Sequence, residues 1–349
     1  MKKVIIDGRA IGENEPPYVI AEISANHNGS IDRAKEIILA AKVAGADAVK
    51  LQTYKPDTIT LNSSDDQFKI SGGLWDGRTL YELYEEAHMP WDWHAELFEF
   101  AKANDITIFS SPFDNTAVDL LESLGAPAYK IASFEAVDIP LIKYVASKGK
   151  PLIISTGMAD ETEISEAVSA ARNAGCEDLI VLHCVSGYPA PAADYNLRTI
   201  PDMKERFSCL TGLSDHTIDN TTAIASIPLG GVLVEKHFTL DRNGGGPDDS
   251  FSLEPDELKA LCSGVRTAWE ALGSVNYGRK SSESGNVQFR RSLYFVKSLD
   301  AGHIISEDDI RSVRPGYGLP PKLFDDVVGK ALAESVKINT PVSWDNFEK

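Results

Sequence analysis

Apolar residues in this chain gather in short runs of strand length, separated by stretches that repeat on a helical period. The runs cover 18–24, 48–54, 106–112, 128–133, 151–157, 179–185, 210–216 and 232–239. Between them, DRAKEIILAAKVAG, WHAELFEFAKAND and ETEISEAVSAARNAG place apolar residues near i, i+3, i+4 and i+7 and close on Gly or Asn. Alternating strands and helices require a parallel sheet with crossover helices, and eight repeats is the number that closes a (β/α)8 TIM barrel. An open doubly wound sheet is the less economical alternative. Ahead of the first run, VIIDGRAIG carries Asp-Gly between short apolar segments, which predicts a hairpin at the N-terminal mouth of the barrel. After PDELKALCSGVRTAWEALG the chain turns polar and loses its period. This places a barrel domain at 1–280, a linker at 281–288 and a small strand-rich and turn-rich domain at 289–349.

The chain has 349 residues, 43% hydrophobic and 25% charged, the balance of a folded protein with a large core. A barrel of about 250 residues plus an appendage fits that length. A formal net charge of −18 argues against wholesale binding of nucleic acid, so an anionic ligand has to meet a local cationic pocket. Cys176, Cys184, Cys209 and Cys262 are widely spaced, with no zinc-knuckle or disulfide pattern. No apolar run reaches membrane-spanning length, and the N-terminal segment reaches Asp7 and Arg9 before any leader-like run. The expectation is a cytoplasmic protein with reduced thiols that does not act at a membrane.

Barrel active sites are built at the C-terminal ends of the strands. Here those ends are polar: Glu22 with Asn26 and His27, Lys50 with Gln52, Ser110 with Ser111, Lys130 with Ser133 and Glu135, Ser155 with Thr156, His183 with Ser186, Ser214 with His216, and Glu235 with His237. Residues two apart on a strand share a face, so Ser214 points with His216 and Glu235 with His237, while Asp215 and Lys236 take the opposite face. The two imidazoles are then either metal ligands or hydrogen-bonded barrel residues. His27, His88, His94 and His303 are weaker candidates. Lys50 and Lys130 admit three readings: an anion pocket, a Schiff-base lysine or a structural ion pair. The loop DRNGGGPDDS follows the eighth strand and offers Asp248 as a further acid. The aromatic stretch TLYELYEEAHMPWDWH is either helix packing or a sugar-stacking lid.

The segments AEISANHNG, AVKLQTY, AYKIAS, STGM, GLSDHT and VEKHFTLDR with GPDD resemble the sialic acid synthase family, in order and along the whole chain. The ending FVKSLDAGHIISEDDIRSVRPGYG resembles that family's antifreeze-like C-terminal domain. Within the family, SGGLWDGRTLYELYEEAHMPWDWH is most like the branch that makes pseudaminic acid, with legionaminate and N-acetylneuraminate formation as the alternatives. A Schiff-base aldolase and a non-catalytic carbohydrate binder are remoter readings.

The resemblance implies a metal-dependent condensation of phosphoenolpyruvate with the aldehyde of an acetamido sugar, 2,4-diacetamido-2,4,6-trideoxy-L-altrose for that branch. Phosphate leaves by C–O cleavage. It also implies His216 and His237 as ligands of a divalent metal, manganese first, with magnesium or cobalt as alternatives. Lys50, Lys130, Ser133 and Ser214 would contact phosphoenolpyruvate. Glu22 would be the acid–base partner of the sugar, Glu135 would hold its hydroxyls, and Asp248 would stand near the metal-side water. Glu235 lies beside them, either contacting substrate or tuning the ligands. Arg314, in RPGYG, would reach across a domain-swapped homodimer to the sugar's N-acetyl oxygen. Where the family reads HCTNIYP this chain reads HCVSGYP, which keeps Tyr188 but puts Ser186 where an asparagine contacts phosphate.

Overall fold

The computed structural model describes residues 3–348; Met1, Lys2 and Lys349, at the ends of the expected first and last domains, lie outside the described residues. The Asp7-Gly8 pair adopts the left-handed conformation at both positions (φ 48° and 79°) and closes β1 (Val4–Ile6) against β2 (Arg9–Ile11). Eight parallel strands follow: β3 (Tyr18–Glu22), β4 (Ala48–Thr53), β5 (Thr107–Pro112), β6 (Tyr129–Ile131), β7 (Leu152–Ser155), β8 (Leu179–Cys184), β9 (Leu210–Asp215) and β10 (Leu233–His237). They form a closed barrel in chain order, with β10 pairing back onto β3. Every expected run forms a strand and trims by one to three residues at its ends, where the chain bends into loops.

Period two along these strands separates two cores. Inward positions Tyr18, Ile20, Phe109, Ile153, Leu182 and Leu233 fill the barrel floor together with Val4, Ile6 and Ile11 of the hairpin, which plugs the N-terminal mouth as expected. Outward positions such as Val49, Val181, Leu213 and Val234 pack against the helices. The helix Ile31–Ala44 is representative: Ser30 caps its start by accepting from Arg33 N, Gly45 (φ 96°) ends it, and Ala34, Ile37, Ile38 and Ala41 bury one stripe. Truncating Ile37, which is fully buried, should cost about 2–5 kcal/mol.

The chain divides into two compact units, Met1–Gly273 and Ser274–Lys349. The division falls ahead of the expected boundary at 280, because the helix Pro255–Leu272 stops at Gly273. The expected linker forms part of a 3₁₀ segment, Ser281–Phe289. The second unit pairs β11 (Ser292–Phe295) with β12 (Ile310–Val313) over a core that includes Leu293, Phe295, Val327, Leu332 and Val342. It is less strand-rich than expected. Frequent turns, as at Gly302, Gly329 and Asn339, reduce other pairings to isolated bridges. Among the described residues, no helix is long and apolar enough to cross a membrane.

Candidate active site

Above the apolar floor, the next inward layer of the barrel is polar. It comprises Glu22 on β3, Lys50 on β4, Ser111 on β5, Lys130 next to Tyr129 on β6, Ser155 on β7, Ser214 on β9 and Glu235 on β10, all buried. Two ammonium groups and two carboxylates share this layer. Glu235 Oε1 lies 2.9 Å from Lys130 Nζ and 3.8 Å from Lys50 Nζ. Lys50 is also paired closely with Glu22 and donates to Ser111 Oγ at 3.1 Å. Burial alone would lower the Lys50 amine, but Glu22 and Glu235 outweigh it and hold the ammonium above its usual range. A group held charged has no lone pair for an imine, so Lys50 is set to bind an anion, and it does so within the ion pairs themselves.

The two carboxyls are driven apart. Burial pushes Glu22 up to about 7 despite Lys50, with the neighbouring Glu235 adding to the rise. Burial would raise Glu235 as well, but Lys130 and Lys50 together hold it below the usual carboxylate range. One carboxyl is thus poised to exchange a proton near neutrality while the other stays charged. Buried Ser155 Oγ and Glu235 Oε2 have no hydrogen-bond partner, so the layer presents unsatisfied polar atoms to a ligand.

One step higher, the residues just past the strands converge. Ser24 donates to the buried carboxylate of Asp248, and Gln52 Nε2 donates to Glu22 Oε1 (3.0 Å) and Ser24 Oγ (3.1 Å). Burial pushes Asp248 up, against the hydrogen bond from Ser24. Ser186 Oγ donates to Ser133 Oγ at 3.0 Å. Gly157 (φ 52°) makes this contact possible: a Cβ there would lie 2.3 Å from Ser133 Cβ and 2.7 Å from Ser186 Oγ. Glu135, in the turn Ser133–Val137, has a buried Oε2 without a partner, and burial raises it to about 7.

His216 and His237 face each other with ring centroids 5.4 Å apart. His216 Nδ1 lies 2.8 Å from the Val185 carbonyl, which can only accept, so that nitrogen carries the hydrogen and Nε2 keeps its lone pair. His237 Nδ1 is buried without a partner. Burial lowers His216 to about 4 and His237 well below the ordinary imidazole value, so both are neutral, which is the ligating form. Among the described residues no group of three or more His, Cys, Asp or Glu gathers as a metal cage. What the two residues offer a divalent ion is a pair of neutral imidazole donors, the Nε2 lone pair of His216 and the unpartnered Nδ1 side of His237. Tyr188 covers it, its ring 4.3 Å from that of His216 and 6.0 Å from that of His237.

A cavity of about 340 Å³ stands over these groups. Gln52, Ser133, Glu135, Ser186, His237 and Asp248 line its polar side; Tyr54, Trp75, Leu83, Tyr84, Phe113 and Phe251 line its apolar side. The long segment after β4 supplies much of the apolar wall. Trp75 Nε1 donates to Pro247 O (3.2 Å), tying that segment to the glycine-rich loop, and Tyr54 packs edge-on against Tyr84 and Phe113. The aromatic stretch is therefore both packing and cavity wall. The glycine-rich loop serves close approach: a Cβ on Gly246 would sit 1.9 Å from Asn28 Oδ1.

All the expected barrel residues meet in this one region, and Arg314 belongs to the second unit. Ser24 and Trp75 join them without having been given a role, together with Gln52, Ser111 and Ser155, which were expected as polar strand ends; Ser111, Ser155 and Gln52 follow the inward parity of Phe109, Ile153 and Lys50. Several polar strand-end residues instead serve structure. Asn26 bonds Phe238 O and Ser252 Oγ, Ser110 bonds Thr53, and His183 faces outward onto Tyr195 O. His27 and His94 are similarly engaged with Ala87 O and Thr53 Oγ1, while in the second unit His303 bonds Asp309.

The NeuB family model matches residues 37–277, and the SAF domain model matches 290–348. The chain is 43% identical over 337 residues to the pseudaminic acid synthase of Helicobacter pylori, covering 96% of this chain and 99% of that protein. It is 34% identical over 345 residues to the N,N'-diacetyllegionaminic acid synthase of Legionella pneumophila, covering 97% and 96% respectively. Among solved structures, the N-acetylneuraminic acid synthetase of Leptospira borgpetersenii, in complex with citrate, superposes with a TM-score of 0.73 at 29% identity, over 83% of this chain and 96% of that one. The family model covers more than half of the chain, and this chain belongs to the NeuB family, with a SAF domain following its barrel.

Proposed function

We propose that this chain condenses phosphoenolpyruvate with 2,4-diacetamido-2,4,6-trideoxy-L-altrose to give pseudaminic acid and phosphate. The observation that carries the reading is the two-tier site: a buried pair of ammonium groups (Lys50, Lys130) beneath two neutral imidazoles (His216, His237), in a chain 43% identical along nearly its full length to pseudaminic acid synthases.

Lys50 and Lys130, with Ser133 and Ser214, would hold the phosphate and carboxylate of phosphoenolpyruvate in the lower tier. Its C3 then lies under the cavity floor, where the sugar aldehyde enters. The C3–C1 bond forms as the aldehyde oxygen takes a proton, and Glu22, poised near neutrality, is placed to give it. Water adds at C2, oriented by Asp248, and the tetrahedral centre collapses with cleavage of the C–O bond to phosphate. A divalent ion, manganese first, held by His216 and His237 would act as a Lewis acid on the carbonyl. Glu135 is placed to bond sugar hydroxyls. Ser186, paired with Ser133, leaves more room than an asparagine beside the phosphate. Tyr54, Trp75 and Leu83 suit the deoxygenated end of the acceptor.

A homodimer in which Arg314 of one protomer serves the barrel of the other is part of the same reading. It is supported by exposed apolar side chains on loops at the catalytic mouth: Leu61, Leu74, Phe134, Val137, Met158 and Ile218. All four cysteines are thiols, in keeping with a cytoplasmic enzyme. The test is phosphate release from phosphoenolpyruvate with manganese, offering the altrose-type sugar, its legionaminate counterpart and N-acetylmannosamine in parallel, with and without chelator. Chelator-sensitive release with the first sugar is expected. Release with another sugar would change the product, and release with none would overturn the reaction.

A further inference from the structure

Lys236 carries a buried charge that the reaction does not use. It lies on β10 between the two site residues Glu235 and His237, and it points the other way, out of the barrel and into the layer beneath the helices. Its Nζ donates to Asp215 Oδ2 (2.9 Å), Thr217 O (2.7 Å) and Asp219 O (2.7 Å), with Thr217 Oγ1 at 3.3 Å. Asp215 Oδ1 in turn accepts from Thr217 N at 2.9 Å. The turn 215–219 is thus wrapped around one ammonium group, and His216 sits inside that turn.

Lys236 and Asp215 are register partners across β9 and β10. The residue after each is an imidazole of the candidate metal pair, pointing to the opposite side. Fixing the outward pair therefore fixes the inward one, whose rings stand 5.4 Å apart. An ion pair is not needed simply to join two strands, since buried pairs are commonly replaced by apolar residues without loss of stability. What the ammonium adds is a focus for carbonyl oxygens of the turn on either side of His216, beside the bonds that His216 itself makes through its backbone N to Tyr195 Oη (2.6 Å) and through Nδ1 to the Val185 carbonyl (2.8 Å).

We propose that Lys236 and Asp215 are positioning residues that set His216 against His237, and so set the affinity of the site for its divalent ion. The proposal rests on the reading of that pair as metal ligands.

The test is titration of the metal-free full-length protein with Co2+, read by its visible d–d absorption, alongside circular dichroism and thermal unfolding. Lys236→Met alone leaves a buried carboxylate unpaired, so the decisive variant is Asp215→Asn with Lys236→Met, which is neutral and keeps an acceptor for Thr217 N. The expected result is a folded protein with unchanged melting temperature, an altered Co2+ band and a Kd weaker by roughly 10–100-fold, the range for residues that orient metal ligands. Thr217→Val, which removes one oxygen from the cage and leaves the ion pair, should give a smaller shift in the same direction. A folded double variant with the wild-type band and Kd, or an unshifted Thr217→Val protein, overturns the proposal. Co2+ binding that survives His216→Ala with His237→Ala, or its absence in the wild type, overturns the metal reading itself.

Discussion

Glu235 Oε1 lies 2.9 Å from the ammonium group of Lys130 and 3.8 Å from that of Lys50, so one carboxylate bridges two buried cations, the second of which also pairs with Glu22. Replacing it by glutamine keeps the shape and removes the charge. Glu235→Gln should lose about 3–5 kcal/mol of stability, the range for breaking a buried pair. Phosphoenolpyruvate brings the missing negative charge, so it should raise the melting temperature of the variant by more than that of the wild type. Differential scanning fluorimetry with and without the ligand checks both expectations; equal ligand shifts would remove the lysines from the anion site.

Glu135 gives stability a pH dependence of definite sign. Burial raises its carboxyl to about 7 in the folded chain, well above the unfolded value, so the folded state holds the proton more tightly. Its contribution is complete below the unfolded pKa and is lost as pH rises through about 7. Glu135→Gln removes the penalty of ionising a buried acid. The variant should gain on the wild type between pH 4.5 and pH 8 by at most on the order of 3 kcal/mol, measured by denaturant unfolding at both pH values. A difference independent of pH would mean that Glu135 is ionised throughout.

The apolar wall should act on the acceptor alone. Trp75→Ala opens the contact between the segment after β4 and Pro247, and should raise KM for the sugar while leaving KM for phosphoenolpyruvate unchanged. Leu83→Ser should narrow the preference for a 6-deoxy over a 6-hydroxy acceptor by roughly tenfold in kcat/KM, the scale set by one apolar group in a pocket. Steady-state kinetics with both sugars decide it; an unchanged ratio would move the deoxygenated end away from this wall.

Arg314→Ala should weaken the acceptor far more than phosphoenolpyruvate. Mixed with an inactive His237→Ala protein, it should regain up to about one quarter of wild-type activity, because a random hybrid has one complete site when tails are exchanged between protomers. Exchange confirmed by mass spectrometry without recovered activity would exclude a cross-subunit Arg314.

Much of the barrel was legible because each strand announces itself twice, by an apolar run and by a polar end. Parity then identified Ser214 with His216 and Glu235 with His237 as inward pairs and turned Asp215 and Lys236 outward. Parity failed where it was least visible. The run through β8 is apolar on both faces up to His183, as in any strand covered on both sides, so nothing local marks that imidazole as outward-facing. Past a strand end the alternation stops, and Asn26 and His27 could not be told from ligands. The ion pair joining Lys50 to Glu22 depends on the register between β3 and β4, and the one joining Lys130 to Glu235 on closure of the barrel; no local window contains either. Trp75 lies in a long loop without period, and its bond to Pro247 and its contact with the Tyr188 ring place it at the cavity.

The seam of the barrel has its own consequence. Parallel pairing of β10 with β3 puts His237 beside Glu22, the last strand of the barrel against the first. No N-terminal fragment short of β10 contains both, so a nascent chain emerging from the ribosome carries seven strands of an incomplete barrel and no chemistry. Formation of the site and closure of the fold are then one event, late and long-range in sequence, and a truncated product of translation is inert rather than partly active.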